Sequence, residues 1–149
     1  MSFLFDSSIY IDGFRNSGET FVLFQRQEQK APLWLSSVVL EELYAGASTA
    51  GARILAKVER DFDLMGRLLT PNHSDWARAG KLLASLGNKY GYEQIGQARL
   101  VNDALIATSA SRNGITVITR NQRDFKRIAE FCTLRWEPGN QTRRGPGQL

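Results

Sequence analysis

The sequence contains one cysteine and one histidine, and this scarcity excludes several kinds of site. With Cys132 alone, no disulfide can form within the chain. With His73 alone, the chain has neither a pair of histidines for zinc nor a pair for acid–base catalysis. The fold therefore depends on a hydrophobic core, which a chain of 149 residues is long enough to form.

Long hydrophobic runs are also missing. The longest uncharged segment of apolar character, residues 31–40, is too short for the about 20 residues of a membrane span. The start of the chain lacks the basic stretch of a secretory leader, and Asp6 interrupts its apolar run. Neither a GxxxxGKS/T nor a GxGxxG segment occurs, which excludes those nucleotide-binding loops. We expect a cytoplasmic protein without membrane contact.

Neither sign of charge dominates the composition. The chain has 19 Lys and Arg against 15 Asp and Glu, which gives a net charge of +4. This excess suits a polyanionic partner, but it is too common among proteins to establish one.

Predicted strands and helices alternate along the chain. The predicted strands are residues 3–5, 33–36, 115–118 and 132–136. The predicted helices are residues 7–14, 18–30, 40–47, 49–69, 72–90, 100–112 and 124–130. These elements make one domain over residues 1–136, followed by a Pro- and Gly-rich tail, residues 137–149, that we expect to be disordered.

The helices predicted over residues 49–69 and 72–90 each carry an apolar stripe at helical spacing. The stripes consist of Ile54, Leu55, Val58, Phe62, Met65 and Leu69, and of Trp76, Ala79, Leu83, Leu86 and Tyr90. Asn72 and Asp75 have the spacing of a capping pair at the start of the second helix.

Alternating strands and helices predict a parallel sheet covered by helices. In such folds ligands bind outside the carboxyl ends of the strands. Asp6 follows the first strand, and Thr119, Asn121 and Asp124 follow the strand that ends at Ile118. The sequence therefore predicts that carboxylates converge at one edge of the sheet.

Asp103 interrupts a helix that is apolar on nearly all sides, which is typical of a buried helix. A buried carboxylate is costly unless it is paired, protonated or bound to a cation. One interpretation is that Asp103 pairs with Arg99 or caps the helix after Asn102. The other is that it binds a metal ion.

Converging carboxylates without histidine or clustered cysteine are typical of Mg²⁺ or Mn²⁺ sites. Such an ion activates water and neutralises charge that develops on a phosphodiester. The pattern therefore favours phosphodiester hydrolysis.

Four segments in order resemble the motifs of the PIN domain. They are Asp6-Ser7-Ser8, Glu42-Leu43-Tyr44-Ala45-Gly46, Asn102-Asp103-Ala104-Leu105-Ile106-Ala107 and Thr119-Arg120-Asn121-Gln122-Arg123-Asp124-Phe125. The set is most similar to the VapC toxins, ribonucleases of type II toxin–antitoxin systems. The resemblance implies a three-layer α/β/α domain with a central, mostly parallel sheet of four to five strands.

The resemblance also implies roles for single residues. Asp6, Glu42 and Asp103 match the acidic positions that hold the metal ion. Glu41 competes with Glu42, because adjacent helical residues point about 100° apart and cannot both face one cleft. The family pattern places the acid directly before Leu43 and so favours Glu42.

The fourth acidic position departs from the family pattern. Many relatives have an aspartate where this chain has Asn121, and Asp124 follows three residues later. Two alternatives stay open: Asp124 is a catalytic carboxylate, or it only caps the helix that follows. We expect Ser7, Thr119 and Asn121 to orient the carboxylates by hydrogen bonds.

The resemblance implies a Mg²⁺-dependent endoribonuclease in which Mn²⁺ can substitute. It also implies a VapB-like antitoxin, toxin dimers and toxin–antitoxin hetero-oligomers. Two other hypotheses are a DNA-directed nuclease with the same carboxylates and a non-catalytic binding module with a degenerate site.

Overall fold

The computed structural model describes residues 1–15, 31–93 and 95–139. The helix predicted over residues 18–30 and residues 140–149 of the predicted tail lie outside these ranges. The elements are, in order, β1 (Ser2–Phe5), α1 (Ser7–Arg15), β2 (Leu33–Ser36), α2 (Ser37–Ala45), α3 (Thr49–Leu64), β3 (Leu68–Leu69), α4 (His73–Tyr90), α5 (Ala98–Arg112), β4 (Ile115–Thr119), α6 (Gln122–Ile128) and β5 (Trp136–Pro138). No helix within the described ranges is long and apolar enough to cross a membrane.

The five strands form one parallel sheet in the order β3-β2-β1-β4-β5. The chain moves outward from β1 to β3 and then returns to the other side of β1. Right-handed crossovers in opposite directions place helices on opposite faces, which gives three layers. The predicted α/β architecture is confirmed. The reversal of strand order falls between β1 and β4, the position where α/β sheets bind ligands.

Helix α5 is deeply buried, as the sequence predicted. Residues 103–110 are all buried, and the helix packs against α2, α4, α6 and β4. Small side chains such as Ala104, Ala107 and Ala110 allow this close packing from several sides. Asp103 lies within this segment, so its carboxylate is held by a rigid element.

The prediction of one helix over residues 49–69 is wrong at its C-terminal end. Helix α3 ends at Leu64, and Leu68 and Leu69 form β3, which pairs with β2. Between them Gly66 adopts φ +68°, a left-handed backbone that glycine takes without strain. The helical spacing of Leu69 hid this break.

The two predicted stripes are only partly buried. Leu55, Phe62, Ala79 and Leu86 contribute to the core, as expected. Other residues of the stripes are exposed instead: Ile54 (54%), Met65 (46%), Trp76 (58%) and Tyr90 (39%). Spacing alone did not show where each stripe ends, because the elements packed against each helix cover a narrower arc than the apolar residues occupy.

Three other boundaries also differ from the prediction. Helix α2 begins earlier, because the Ser36 hydroxyl at the end of β2 accepts from the Val38 amide and caps it at once (3.1 Å). Helix α6 covers residues 122–128 instead of 124–130. The last strand is residues 136–138 instead of 132–136, and it includes two residues of the predicted tail. The pairing of Pro138 with Thr119 fixes this register.

Asp75 links the start of α4 to the end of α5. The Asn72 and Asp75 side chains each accept from the other residue's backbone amide, which confirms the predicted cap. The Arg112 guanidinium donates to both Asp75 oxygens at 2.8–3.0 Å. Burial opposes ionisation of Asp75, but the hydrogen bonds from Arg112 and Asn72 outweigh it and lower its pKa.

Asp75→Ala should lower the free energy of unfolding by roughly 2–3 kcal/mol, because it removes a helix cap and leaves Arg112 unpaired. Because the pKa of Asp75 is lowered, its contribution to the free energy of unfolding is fully present above the ordinary aspartate pKa of 3.8. This contribution is lost as the pH falls through the pKa of Asp75 in the folded state. Urea unfolding at pH 7 and pH 3 measures it, with the exposed Asp63→Ala as control. Equal stability of Asp75→Ala and the unchanged chain at pH 7 would contradict this account.

Candidate functional site

Asp6 begins the site directly after β1. Its side chain is 2% exposed, so its carboxylate has lost nearly all contact with water. Three hydroxyls donate to it: Thr119 at 2.6 Å, Ser8 at 3.1 Å and Ser7 at 3.2 Å. These hydrogen bonds fix the orientation of the carboxylate at the sheet edge.

The same hydroxyls attach the segment after β4 to Asp6. The backbone amide of Asn121 donates to the Thr119 hydroxyl (2.9 Å), and the backbone amide of Arg120 donates to the Ser8 hydroxyl (3.1 Å). Sequence reasoning placed Ser7 and Thr119 beside the carboxylates but missed the contact of Ser8. The position of Ser8, two residues after Asp6, is the only signal that could have indicated it.

Asn121 lies between two carboxylates. Its side-chain nitrogen donates to Asp103 Oδ2 at 2.9 Å and to Asp124 Oδ2 at 3.0 Å. The amide therefore bridges the aspartates of α5 and α6. The bridge gives Asp124 a contact with the acidic group, and the Asn121 side chain forms no capping hydrogen bond at the start of α6.

The adjacent glutamates on α2 take different directions. Glu41 is exposed and accepts from the Asn102 side chain at 3.2 Å. Glu42 is partly buried, and its Oε1 atom is buried without a hydrogen-bond partner among the described residues. Burial and the charge of Asp6 raise the pKa of Glu42 to about 7, against hydrogen bonding by Ser7 and Asn102.

Asp103 carries the largest electrostatic perturbation of the acidic group. Burial and, after it, the charges of Asp6, Glu42 and Asp124 together raise its pKa to about 8, while Arg99 opposes the shift. The side chain is 2% exposed. The structure thus brings the four predicted carboxylates into one electrostatic group, and Arg99 does not neutralise it.

The four carboxylates offer the oxygen donors that a hard cation prefers. The Glu42 Oε1 atom, which is buried without a hydrogen-bond partner among the described residues, also suits such an ion. Within the described ranges, however, no three Asp, Glu, His or Cys side chains lie close enough together to hold an ion as they stand. The donor types fit a divalent cation, and its ligands stay a prediction.

An open cleft of about 480 Å³ leads to Glu42. Ser7, Ser8, Asn102 and Arg99 contribute polar groups to its wall. Its volume lies within the range of small-molecule and nucleotide sites.

Fold and site together define a class of protein: an α/β domain with carboxylates at the switch point of a parallel sheet, suited to phosphate esters. The family model of the PIN domain matches residues 3–131, and the chain belongs to the PIN domain family. This membership places it among nucleases, hydrolases that act on nucleic acid.

Solved structures support the same assignment. A chain of VapBC from Salmonella typhimurium is 28% identical, with a TM-score of 0.66, and the match covers 93% of this chain and 98% of that one. VapBC-1 from nontypeable Haemophilus influenzae has a chain with 26% identity, the same coverage and a TM-score of 0.66. VapBC2 from Rickettsia felis has one with 23% identity, a TM-score of 0.67 and coverage of 94% and 100%.

These matches confirm the resemblance to VapC-like PIN toxins. No curated protein matches the chain significantly.

Asp103→Asn should raise the melting temperature in EDTA at pH 8.5 and have a smaller effect at pH 5. The pKa of Asp103 is raised to about 8, so the folded state holds a proton that the unfolded state releases near 3.8, and stability falls as the pH rises between these values. Asparagine removes this cost. A gain of a few degrees is expected, since about 1 kcal/mol shifts the melting temperature by roughly 3 °C at this size. Asp61→Asn, exposed on α3, is the control, and a lower melting temperature at both pH values would contradict the prediction.

Proposed function

We propose that this chain is a Mg²⁺-dependent endoribonuclease and the toxin of a type II toxin–antitoxin pair. The observation that carries the proposal is the electrostatic grouping of four carboxylates at the β1–β4 switch point. Burial and the charges of the other three carboxylates raise the pKa of Asp103, and a divalent cation would relieve the repulsion among them. The membership of the PIN family makes nucleic acid the class of substrate.

Asp6, Glu42 and Asp103 are the proposed metal ligands, with Mn²⁺ as a substitute for Mg²⁺, and Asp124 is a fourth catalytic carboxylate. When bound, such an ion would lower the pKa of a water molecule so that it can attack a phosphodiester as hydroxide, and it would offset the charge that develops. The chain's own side chains orient the carboxylates and exclude bulk water. Ser7 and Thr119 hold Asp6, Asn121 holds Asp103 and Asp124, and burial keeps bulk water from Asp6 and Asp103.

RNA as the substrate and the cytoplasm as the location are proposed from the resemblance to VapC toxins. The net charge of +4 is compatible with either nucleic acid. The DNA in the Salmonella and Rickettsia structures is bound by those VapBC complexes, so it does not identify a substrate. A DNA-directed nuclease is therefore the first alternative.

A VapB-like antitoxin is the proposed partner, in a toxin–antitoxin hetero-oligomer. The support is that three solved structures, each matching over more than nine-tenths of this chain, come from VapBC complexes. The open cleft beside Glu42 is the surface that an inhibitor of the site would have to block.

A non-catalytic binding module is the second alternative. Its support is Asn121, which stands where many relatives have an aspartate and which donates hydrogen bonds instead of adding a negative charge.

Asp6→Asn and Asp103→Asn should each abolish metal-dependent cleavage of total RNA, because each removes a proposed ligand. A loss of about 100-fold or more is expected from removing a group that stabilises charge at the reacting centre. The measurement is gel analysis of RNA incubated with antitoxin-free protein, with Mg²⁺ or with EDTA. Asp61→Asn is the matched control, since it makes the same change on the exposed face of α3.

Three outcomes distinguish the alternatives. Discrete RNA cleavage that needs both Mg²⁺ and Asp103 supports the proposal. Cleavage of single-stranded or duplex DNA alone favours the DNA-directed nuclease. RNA binding of equal affinity with and without Mg²⁺, and without cleavage, favours the binding module and contradicts the proposal.

Toxin dimers are proposed to form through the exposed apolar residues of α3 and α4. Ile54→Glu and Trp76→Glu should each shift the chain from dimer to monomer, because both side chains are more than half exposed and apolar. Light scattering after size-exclusion chromatography measures the mass, with Ala56→Glu on α3 as control. A monomer in the unchanged chain would contradict the proposed dimer.

A further inference from the structure

Two hollows open beside the carboxylates, and each has one arginine in its wall. The larger is the cleft of Glu42, and its arginine is Arg99. The smaller, about 20 Å³, contains Asp124 and Arg127. Each hollow therefore combines a carboxylate of the site with a single cationic side chain.

The two hollows both have residues of the first turn of α5 in their walls. Arg99 contributes to the larger hollow, and its neighbour Leu100 contributes to the smaller one. Because consecutive helical residues point about 100° apart, the hollows lie on two sides of this turn. Asp103 lies one turn after Arg99 on the same helix face, so the acidic group is bordered by both hollows.

A polyanionic substrate needs cationic contacts at this acidic edge. Four carboxylates repel a phosphodiester chain, and an ion at the centre offsets only part of that charge. In the described part of the chain, the Arg99 guanidinium forms no ion pair and no hydrogen bond, although Glu41 and Glu42 share its hollow. Its donors are free to bind a phosphate.

Arg127 is held in place by an aromatic ring. Its guanidinium carbon lies 4.1 Å from the centre of the Tyr90 ring, at cation–π distance. The Tyr90 hydroxyl donates to Glu130 at 2.6 Å, and Lys89 pairs with the same carboxylate at 2.8 Å. This contact set orders Arg127 while its guanidinium donates no hydrogen bond to the described residues.

We propose that Arg99 and Arg127 bind the backbone phosphates on either side of the scissile bond, so that single-stranded RNA crosses the first turn of α5 from one hollow to the other. Tyr90 is a positioning residue that orders Arg127. The smaller hollow has room for about one water molecule, so no base enters it and the phosphate contacts Arg127 at its mouth. This inference rests on the proposed ribonuclease function.

The salt dependence of RNA binding tests the two arginines. The probe is a fluorescent 12-nucleotide RNA of mixed sequence, bound in Mg²⁺ by the full chain carrying Asp6→Asn so that it is not cleaved. Arg99→Ala and Arg127→Ala should each reduce the slope of log K against log salt by about 0.7, the value for one phosphate contact on a single strand. Arg60→Ala and Lys126→Ala remove the same charge from exposed positions outside both hollows and should leave the slope unchanged.

Substitutions at Tyr90 separate positioning from general damage. Tyr90→Phe keeps the ring under Arg127 and should keep the slope, whereas Tyr90→Leu should lower it as Arg127→Ala does. Arg99→Lys and Arg127→Lys retain the charge and should restore the slope, even if the affinity stays lower, which a merely structural role would not predict.

The outcomes separate this inference from the function on which it rests. Normal RNA binding with an unchanged slope in both alanine variants would overturn the inference and leave the ribonuclease proposal standing. No RNA binding by the parent chain would contradict the proposed function and this inference together. A slope lowered equally by Arg60→Ala and Lys126→Ala would assign the effect to net charge and overturn the two-arginine path.

Discussion

Repulsion among buried carboxylates is the interaction on which this site depends. Asp6 and Asp103 are each 2% exposed, and Glu42 and Asp124 add charge beside them. Burial and this crowding raise the pKa of Asp103 to about 8 and that of Glu42 to about 7. The rest of the fold resists the repulsion: the parallel sheet fixes Asp6 beside Thr119, and the packing of α5 on four elements fixes Asp103. A divalent cation is the partner that such an arrangement favours.

The sequence was sufficient for the features that depend on local chemistry. Alternating elements predicted the parallel sheet, and the carboxyl-end rule placed Asp6, Thr119 and Asn121 at one edge. An apolar helix interrupted by Asp103 predicted burial of that carboxylate, because an acid in such a helix has no route to water. The cap formed by Asn72 and Asp75 was predictable, because the two residues lie only three positions apart in the sequence.

Features that depend on contacts between distant residues could not be predicted in the same way. The Asn121 bridge between Asp103 and Asp124 joins α5 to α6, and the hydrogen bond from Arg120 to Ser8 joins residues 112 positions apart. Strand β3 was missed because Leu69 continued a helical spacing, whereas helix α3 ends at Leu64 and Gly66 takes a left-handed backbone after it. Trp76 lies on an apolar stripe yet is exposed, because the stripe is wider than the surface that covers it.

Calorimetric titration of the metal-free chain with Mg²⁺ at pH 7.5, in two buffers of different ionisation enthalpy, tests the central claim most directly. With pKa values of about 8 for Asp103 and about 7 for Glu42, the metal-free site holds protons that a bound cation must displace. The account predicts saturable binding with release of about one proton per ion, and loss of that release in Asp103→Asn. Binding without proton release, or the same release from Asp103→Asn, would contradict it.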